Sequence, residues 1–129
     1  MPLLLDTHVF LWFISGDARL AAKARDAIQD ARTEVFLSVV SVWEAIVKYQ
    51  LGKLSLPQSS GTYLPAQRER HGIASLELDE TSVAMLHILP SIYRDPFDRI
   101  MICHTLSGAL TLVTTDAIVK AYSVPTLDG

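Results

Sequence analysis

The sequence predicts an α/β domain on a mainly parallel sheet, and two observations carry that prediction. Short apolar runs alternate with longer segments of helical period, the rhythm of strand, crossover helix, strand. No run reaches the roughly 20 apolar residues that a bilayer-spanning helix needs, although half of the 129 residues are apolar.

Taken in order, Leu3-Leu4-Leu5 forms a short buried strand. The segment 18–32 carries Leu20, Ala24, Ala27, Ile28 and Ala31 at i, i+4, i+7, i+8 and i+11, with Arg19, Lys23, Arg25, Asp26 and Asp30 around the rest of the wheel. That pattern is an amphipathic helix. Val35-Phe36-Leu37-Ser38 forms the second strand, and a helix marked by Val42, Trp43, Ile46, Val47 and Leu51 runs from Ser41 to Leu51, closed by Gly52. Residues 55–61 read as a loop, followed by a polar helix through 67–70 that ends at Gly72. Residues 73–78 give a third strand and 80–89 a short helix stopped by Pro90. Asp95-Pro96 opens a helix to about Ser107, with Gly108 beyond it. Residues 110–114 are a strand, 117–122 a short helix, and Val124 is strand-like. There is no internal repeat, and the expectation is a single domain over 1–129.

Composition narrows the function. Net charge is −3, from 14 Asp plus Glu against 11 Lys plus Arg, so a nucleic-acid partner would have to be met by a local basic rim or by bound cations. The lone Cys103 cannot form an internal disulfide, and Asp6 and His8 interrupt the N-terminal apolar run, which lacks a basic leader. The expectation is a soluble cytoplasmic protein.

The acids are placed alike. Asp6 ends the first strand, Glu44 lies one turn into the helix after the second, and Asp116 follows the 110–114 strand closely. In an open parallel sheet the strand C-termini share one edge, where ligand sites form. Asp98 joins them if its helix begins on that edge. Each acid also has a plain structural role to weigh: Ser41-Val42-Trp43-Glu44 matches a capping box, Asp95-Pro96-Phe97-Asp98 an N-cap with Pro at N1, and Asp116 another cap. Several half-buried carboxylates together, however, call for a cation.

Leu4-Leu5-Asp6-Thr7-His8, Ser38-Val39-Val40-Ser41-Val42-Trp43-Glu44, Arg94-Asp95-Pro96-Phe97-Asp98-Arg99 and Thr114-Thr115-Asp116 occur in that order. As a set they resemble the PIN-domain family, and within it the VapC toxins of VapBC toxin–antitoxin systems; Gly52-Lys53-Leu54 and Leu56-Pro57 extend the likeness. The resemblance implies a three-layer α/β/α sandwich on a parallel five-stranded sheet, Mg²⁺- or Mn²⁺-dependent endoribonuclease activity, a homodimer and inhibition by a cognate VapB-like antitoxin. It places Asp6, Glu44, Asp98 and Asp116 on the acidic quartet, with Asp95 as an auxiliary acid.

Hard divalent cations take oxygen ligands and keep several waters, so Asp6 and Asp98 are expected as main ligands, with Asp116 and Glu44 acting on a second cation or through water. Glu44 could instead orient the attacking water. Thr7, Thr114 and Ser41 are candidate hydroxyl donors. Arg94, Arg99 and Lys48 are candidate RNA contacts, with Lys53, Arg68, Arg70 and Lys120 as more scattered ones. No His or Cys pair has metal-ligand spacing. Trp12, Phe13, Trp43 and Phe97 are expected in the core or a dimer interface. Two other folds with acids at strand ends fit less well. A receiver-type phosphoacceptor domain wants adjacent acids after its first strand, and a haloacid-dehalogenase phosphatase wants Asp at position 8, which is His. An inactive PIN-like scaffold is disfavoured by the intact quartet.

Overall fold

The computed structural model describes residues 1–90 and 95–129. Five parallel strands form one sheet: β1 (Leu3–Leu5), β2 (Val35–Ser38), β3 (Ala74–Leu76), β4 (Thr111–Thr114) and β5 (Thr126–Asp128). Their order is β3-β2-β1-β4-β5. The chain therefore winds outward in one direction from β1 to β3, then returns to β1's other side and winds the opposite way. The reversal falls between β1 and β4, which pair Leu3 with Thr111 and Leu5 with Val113.

Alternation along β1 builds the layers. Leu3 and Leu5 face one core, shared with helices α1 (Thr7–Ser15), α2 (Ala22–Gln29) and α4 (Ser60–Arg70) through Phe10, Phe13, Ala24, Ile28 and Leu64. Leu4 faces the other, with Met101 and Ile102 of α6 (Pro96–Ser107) and Val119 of α7 (Ala117–Lys120). Opposite faces of a strand alternate residue by residue, so one tripeptide anchors both sides of an α/β/α sandwich. Helix α3 (Val39–Gln50) supplies Val40 to one core and Ala45 to the other. Helix α5 (Glu80–Ala84), followed by a 3₁₀ turn at Met85–His87, packs on α6. Among the described residues no helix is long and apolar enough to cross a membrane.

The elements depart from expectation where a local rule is overridden. Thr7–Ser15 is helical although its sequence, Thr-His-Val-Phe-Leu-Trp-Phe-Ile-Ser, has too little polar content to show a period; Gly16, at φ 67°, ends it in the left-handed conformation that glycine tolerates. Helix α4 starts at Ser60, inside the expected loop, and absorbs Gly61 and Pro65. Burial of Leu64 outweighs their poor propensity. The last strand begins after Val124, because Pro125 has no N–H to give a ladder, although its carbonyl accepts from Leu112 N at 2.9 Å.

The capping box at Ser41 is not formed. Ser38 is the N-cap of α3, its Oγ accepting from Val40 N at 3.0 Å, while Ser41 lies inside the helix and donates to Met101 Sδ at 3.6 Å. The cap at Asp95 forms as expected, with Oδ1 accepting from Phe97 N at 2.9 Å and Pro96 at the first helical position. Ser38→Ala should therefore cost about 1 kcal/mol, read as a lower denaturant midpoint with unchanged slope, whereas removing the Ser41 hydroxyl takes away no cap.

Candidate active site

Strand C-termini and helix N-termini converge at the edge where the strand order reverses, and a cavity of about 330 Å³ opens there. Asp6, Glu44, Asp95, Asp98 and Asp116 all line it, with His8, Trp12, Lys48 and Thr115. The five acids come from segments spread over most of the chain. Helix α6 does begin on this edge, which is what brings Asp98 to Asp6.

Asp6 is the hinge between β1 and α1. Its backbone is extended and its N–H bonds to Val113 O at 3.0 Å, so the side chain is fixed by the central strand pair. It is 7% exposed. Burial is the main influence that raises its pKa, opposed by the Thr114 hydroxyl, which donates to Oδ2 at 2.7 Å. The same Thr114 oxygen accepts from Asp116 N at 3.1 Å. One wholly buried hydroxyl thus sets the positions of two acids.

Glu44 is 4% exposed. Thr7 Oγ1 donates to its Oε1 at 2.7 Å, and the Lys48 ammonium meets Oε2 at 2.7 Å. Thr7 and Thr114 therefore both act as carboxylate-holding hydroxyls. Asp98, in the first turn of α6, has its pKa pushed up to about 7, first by burial and then by the negative charges of Asp6, Asp95, Glu44 and Asp116.

Other candidates lie elsewhere. Arg99 donates to Leu86 O at 3.3 Å, Pro90 O at 3.1 Å and the Tyr122 hydroxyl at 3.4 Å, which places its guanidinium among backbone carbonyls behind the site. Arg94 lies outside the described residues. Lys120 pairs with Asp128. Of the aromatic residues, Phe13 is buried and Trp12 half-buried against the cavity, while Trp43 is 59% exposed and packs edge-to-face on Phe97 with ring centroids 4.9 Å apart. His8 and Thr115 line the cavity although the sequence assigns them no site role, and so does Trp12, which was expected in the core or a dimer interface. Two share one face of α1, a turn apart, with ring centroids at 6.3 Å.

The donor set suits a hydrated hard cation. It offers carboxylate and hydroxyl oxygens and a single imidazole, it carries crowded negative charge, and its cavity has room for water as well as an ion. Among the described residues no group of three or more His, Cys, Asp or Glu side chains is closed up tightly enough to hold an ion unaided. An ion here would keep waters in its shell, as Mg²⁺ does.

A parallel sheet reversing at β1 and β4, with acids gathered over the reversal, is the architecture of PIN domains. The PIN domain profile matches residues 3–124, and the chain belongs to that family. It is 40% identical over 70 residues to Ribonuclease VapC16 of Mycobacterium tuberculosis (strain ATCC 25618 / H37Rv), a match covering 51% of this chain and 50% of that protein. The chain thus spans about half the length of this curated relative. Its fold is that of VapBC2 from Rickettsia felis, solved bound to a promoter DNA fragment, with TM-score 0.76, 13% identity and coverage of 100% of this chain and 99% of that one. DNA-bound VapBC from Salmonella typhimurium gives a TM-score of 0.73 at 17% identity, over 99% and 98% of the two chains.

Without metal, Asp98 keeps its proton in the folded protein up to about pH 7, whereas its ordinary value is 3.8. The folded state therefore binds the extra proton between those limits, and stability falls as pH rises through them. Asp98→Asn should raise the melting temperature in EDTA above about pH 7. The gain should shrink as pH falls toward about 4, in thermal melts of both proteins across that range.

Proposed function

We propose that this chain is a metal-dependent endoribonuclease, a VapC-type toxin of a type II toxin–antitoxin pair, acting through a single PIN domain over 1–129. The observation that carries this reading is the convergence of Asp6, Glu44, Asp95, Asp98 and Asp116 on one cavity at the sheet's reversal point. The likeness to Ribonuclease VapC16 supports RNA as the substrate. The VapBC complexes support a VapB-like antitoxin as the partner.

Asp6 and Asp98 are the main holders of Mg²⁺ or Mn²⁺, Asp116 joins them directly or through water, and Glu44 supports the site from behind them. When bound, such a cation supplies a Lewis acid for the phosphodiester and an activated water for in-line attack. The chain's own groups prepare for this. Thr114 holds Asp6 in one orientation and anchors the start of the turn that carries Asp116, and Thr7 holds Glu44. Asp95 caps α6, fixing the turn that presents Asp98. Trp12 and His8 wall one side of the cavity.

The exposed Trp43, packed edge-to-face on Phe97, is the apolar surface we assign to a homodimer or to the antitoxin, since large aromatic surfaces are seldom left bare. An antitoxin Arg would pair with the same acids as the cation. We place the protein in the cytoplasm, where its RNA substrate is found.

Incubation with total RNA, with and without Mg²⁺, and mapping of the cut ends test the reading. Asp6→Asn and Asp98→Asn should each lower cleavage by roughly a hundredfold or more with the fold intact. Parental rates at saturating Mg²⁺ would remove these residues from the site. Millimolar Mg²⁺ or Mn²⁺ should also raise the melting temperature, in line with a stabilisation of about 2.7 kcal/mol at a hundred times Kd. Asp116→Asn should raise the metal-free melting temperature and blunt that response.

A further inference from the structure

The Glu44 carboxylate has both oxygens engaged: Oε1 by the Thr7 hydroxyl and Oε2 by the Lys48 ammonium, each at 2.7 Å. At 4% exposure it has little remaining surface to offer an ion. Lys48 is differently placed. Its side chain is 35% exposed, and it is the sole Lys or Arg among the described residues lining the acid cavity. It also lines the two grooves that leave that cavity, one between α1 and residues 54–57, the other between α3 and the start of α6. A strand laid across this edge of the sheet along both grooves passes Lys48 as it passes the acids.

Phosphates approaching a cluster of carboxylates are repelled unless a cation stands among them. A lysine on a flexible stem meets that need only if it is held, because ordering its long side chain costs conformational entropy. Glu44 pre-orders it. Partial burial works against the ammonium's charge, but its hydrogen bond with Glu44 and the fields of Glu44, Asp95 and Asp98 outweigh that and keep Lys48 charged.

We propose that Lys48 is the phosphate-contacting residue that seats single-stranded RNA beside the acid cavity, and that Glu44 is a positioning residue that holds the Lys48 ammonium instead of ligating the cation. This rests on the nuclease reading above and assigns a substrate contact within it. The division of labour follows from the geometry: Asp6, Asp98 and Asp116 serve the cation, while Glu44, with Thr7 behind it, serves Lys48.

Two measurements on the full chain test it: Mn²⁺ affinity by calorimetry, and affinity for fluorescent 2′-O-methyl oligouridylate by anisotropy over a salt series with Mn²⁺ present. Lys48→Met should weaken oligonucleotide binding about tenfold and reduce the slope of log K against log salt by about 0.7, one phosphate contact on a single strand. Its Mn²⁺ affinity should not fall. Lys48→Arg should restore the salt slope. Glu44→Gln should lose oligonucleotide affinity as Lys48→Met does, with Mn²⁺ affinity lowered far less than in Asp98→Asn. A parental salt slope in Lys48→Met overturns the proposal, and so does a loss of Mn²⁺ binding in Glu44→Gln as large as that in Asp98→Asn, beyond the roughly ten- to hundredfold that a supporting neighbour costs. Asp98→Asn serves as the separate control. Parental Mn²⁺ binding there overturns the metal-nuclease reading itself and this proposal with it, whereas lost binding there, with a parental slope in Lys48→Met, overturns the Lys48 assignment alone.

Discussion

Negative charge crowded into a half-buried cavity is the constraint to which the surrounding structure answers. Ionised carboxylates lose hydration when buried and repel one another, and five of them face this space. The protein offsets the cost in three ways. Hydroxyls of Thr114 and Thr7 donate to Asp6 and Glu44, an ammonium from the next turn of α3 neutralises Glu44, and Asp98 keeps its proton up to about pH 7. None of these removes the excess charge. What remains is a site poised for a cation, whose binding would relieve the strain that the fold imposes.

That strain is tolerable because Asp6, Glu44 and Asp98 are held by strand ladders and helix caps. Asp6 follows a strand whose three residues are fully buried, and it is tied to β4 through backbone and side chain alike. Glu44 is one turn and a half into a capped helix. Asp98 is three residues after an N-cap in which Asp95 and Pro96 fix the helix start. Displacing any of these three would disturb a cap or a ladder, and Asp116, in the short connection after β4, is tied to that strand by its N–H bond to the Thr114 hydroxyl.

How much of this could be read from the sequence depended on whether local signals were strong. The acids announced themselves because each follows an apolar run or opens a helix, and the Asp95-Pro96 cap because proline and aspartate both favour that position. Helix α1 was not delimited, since periodicity vanishes when nearly every position is apolar. The cap of α3 moved from Ser41 to Ser38 because two serines three residues apart satisfy the same local rule, and only the register of β2 decides between them. Arg99 could not be located from sequence, as its partners Leu86, Pro90 and Tyr122 are brought together only by the packing of α6. The same holds for His8 and Trp12, which face the acids only because α1 leaves β1 immediately after Asp6.

The hydrogen bond between Thr114 and Asp6 spans 108 positions of sequence, and β4 is an interior strand, pairing with β1 on one side and β5 on the other. During synthesis β1 and Asp6 are made before β4, and the cavity has no second wall until residues 111–116 have emerged and inserted beside β1. Contacts this distant in sequence form late and together. A chain made only as far as residue 110 therefore carries Asp6, Glu44, Asp95 and Asp98 without the cavity they line, and the crowding of charge arises only when β4 inserts beside β1.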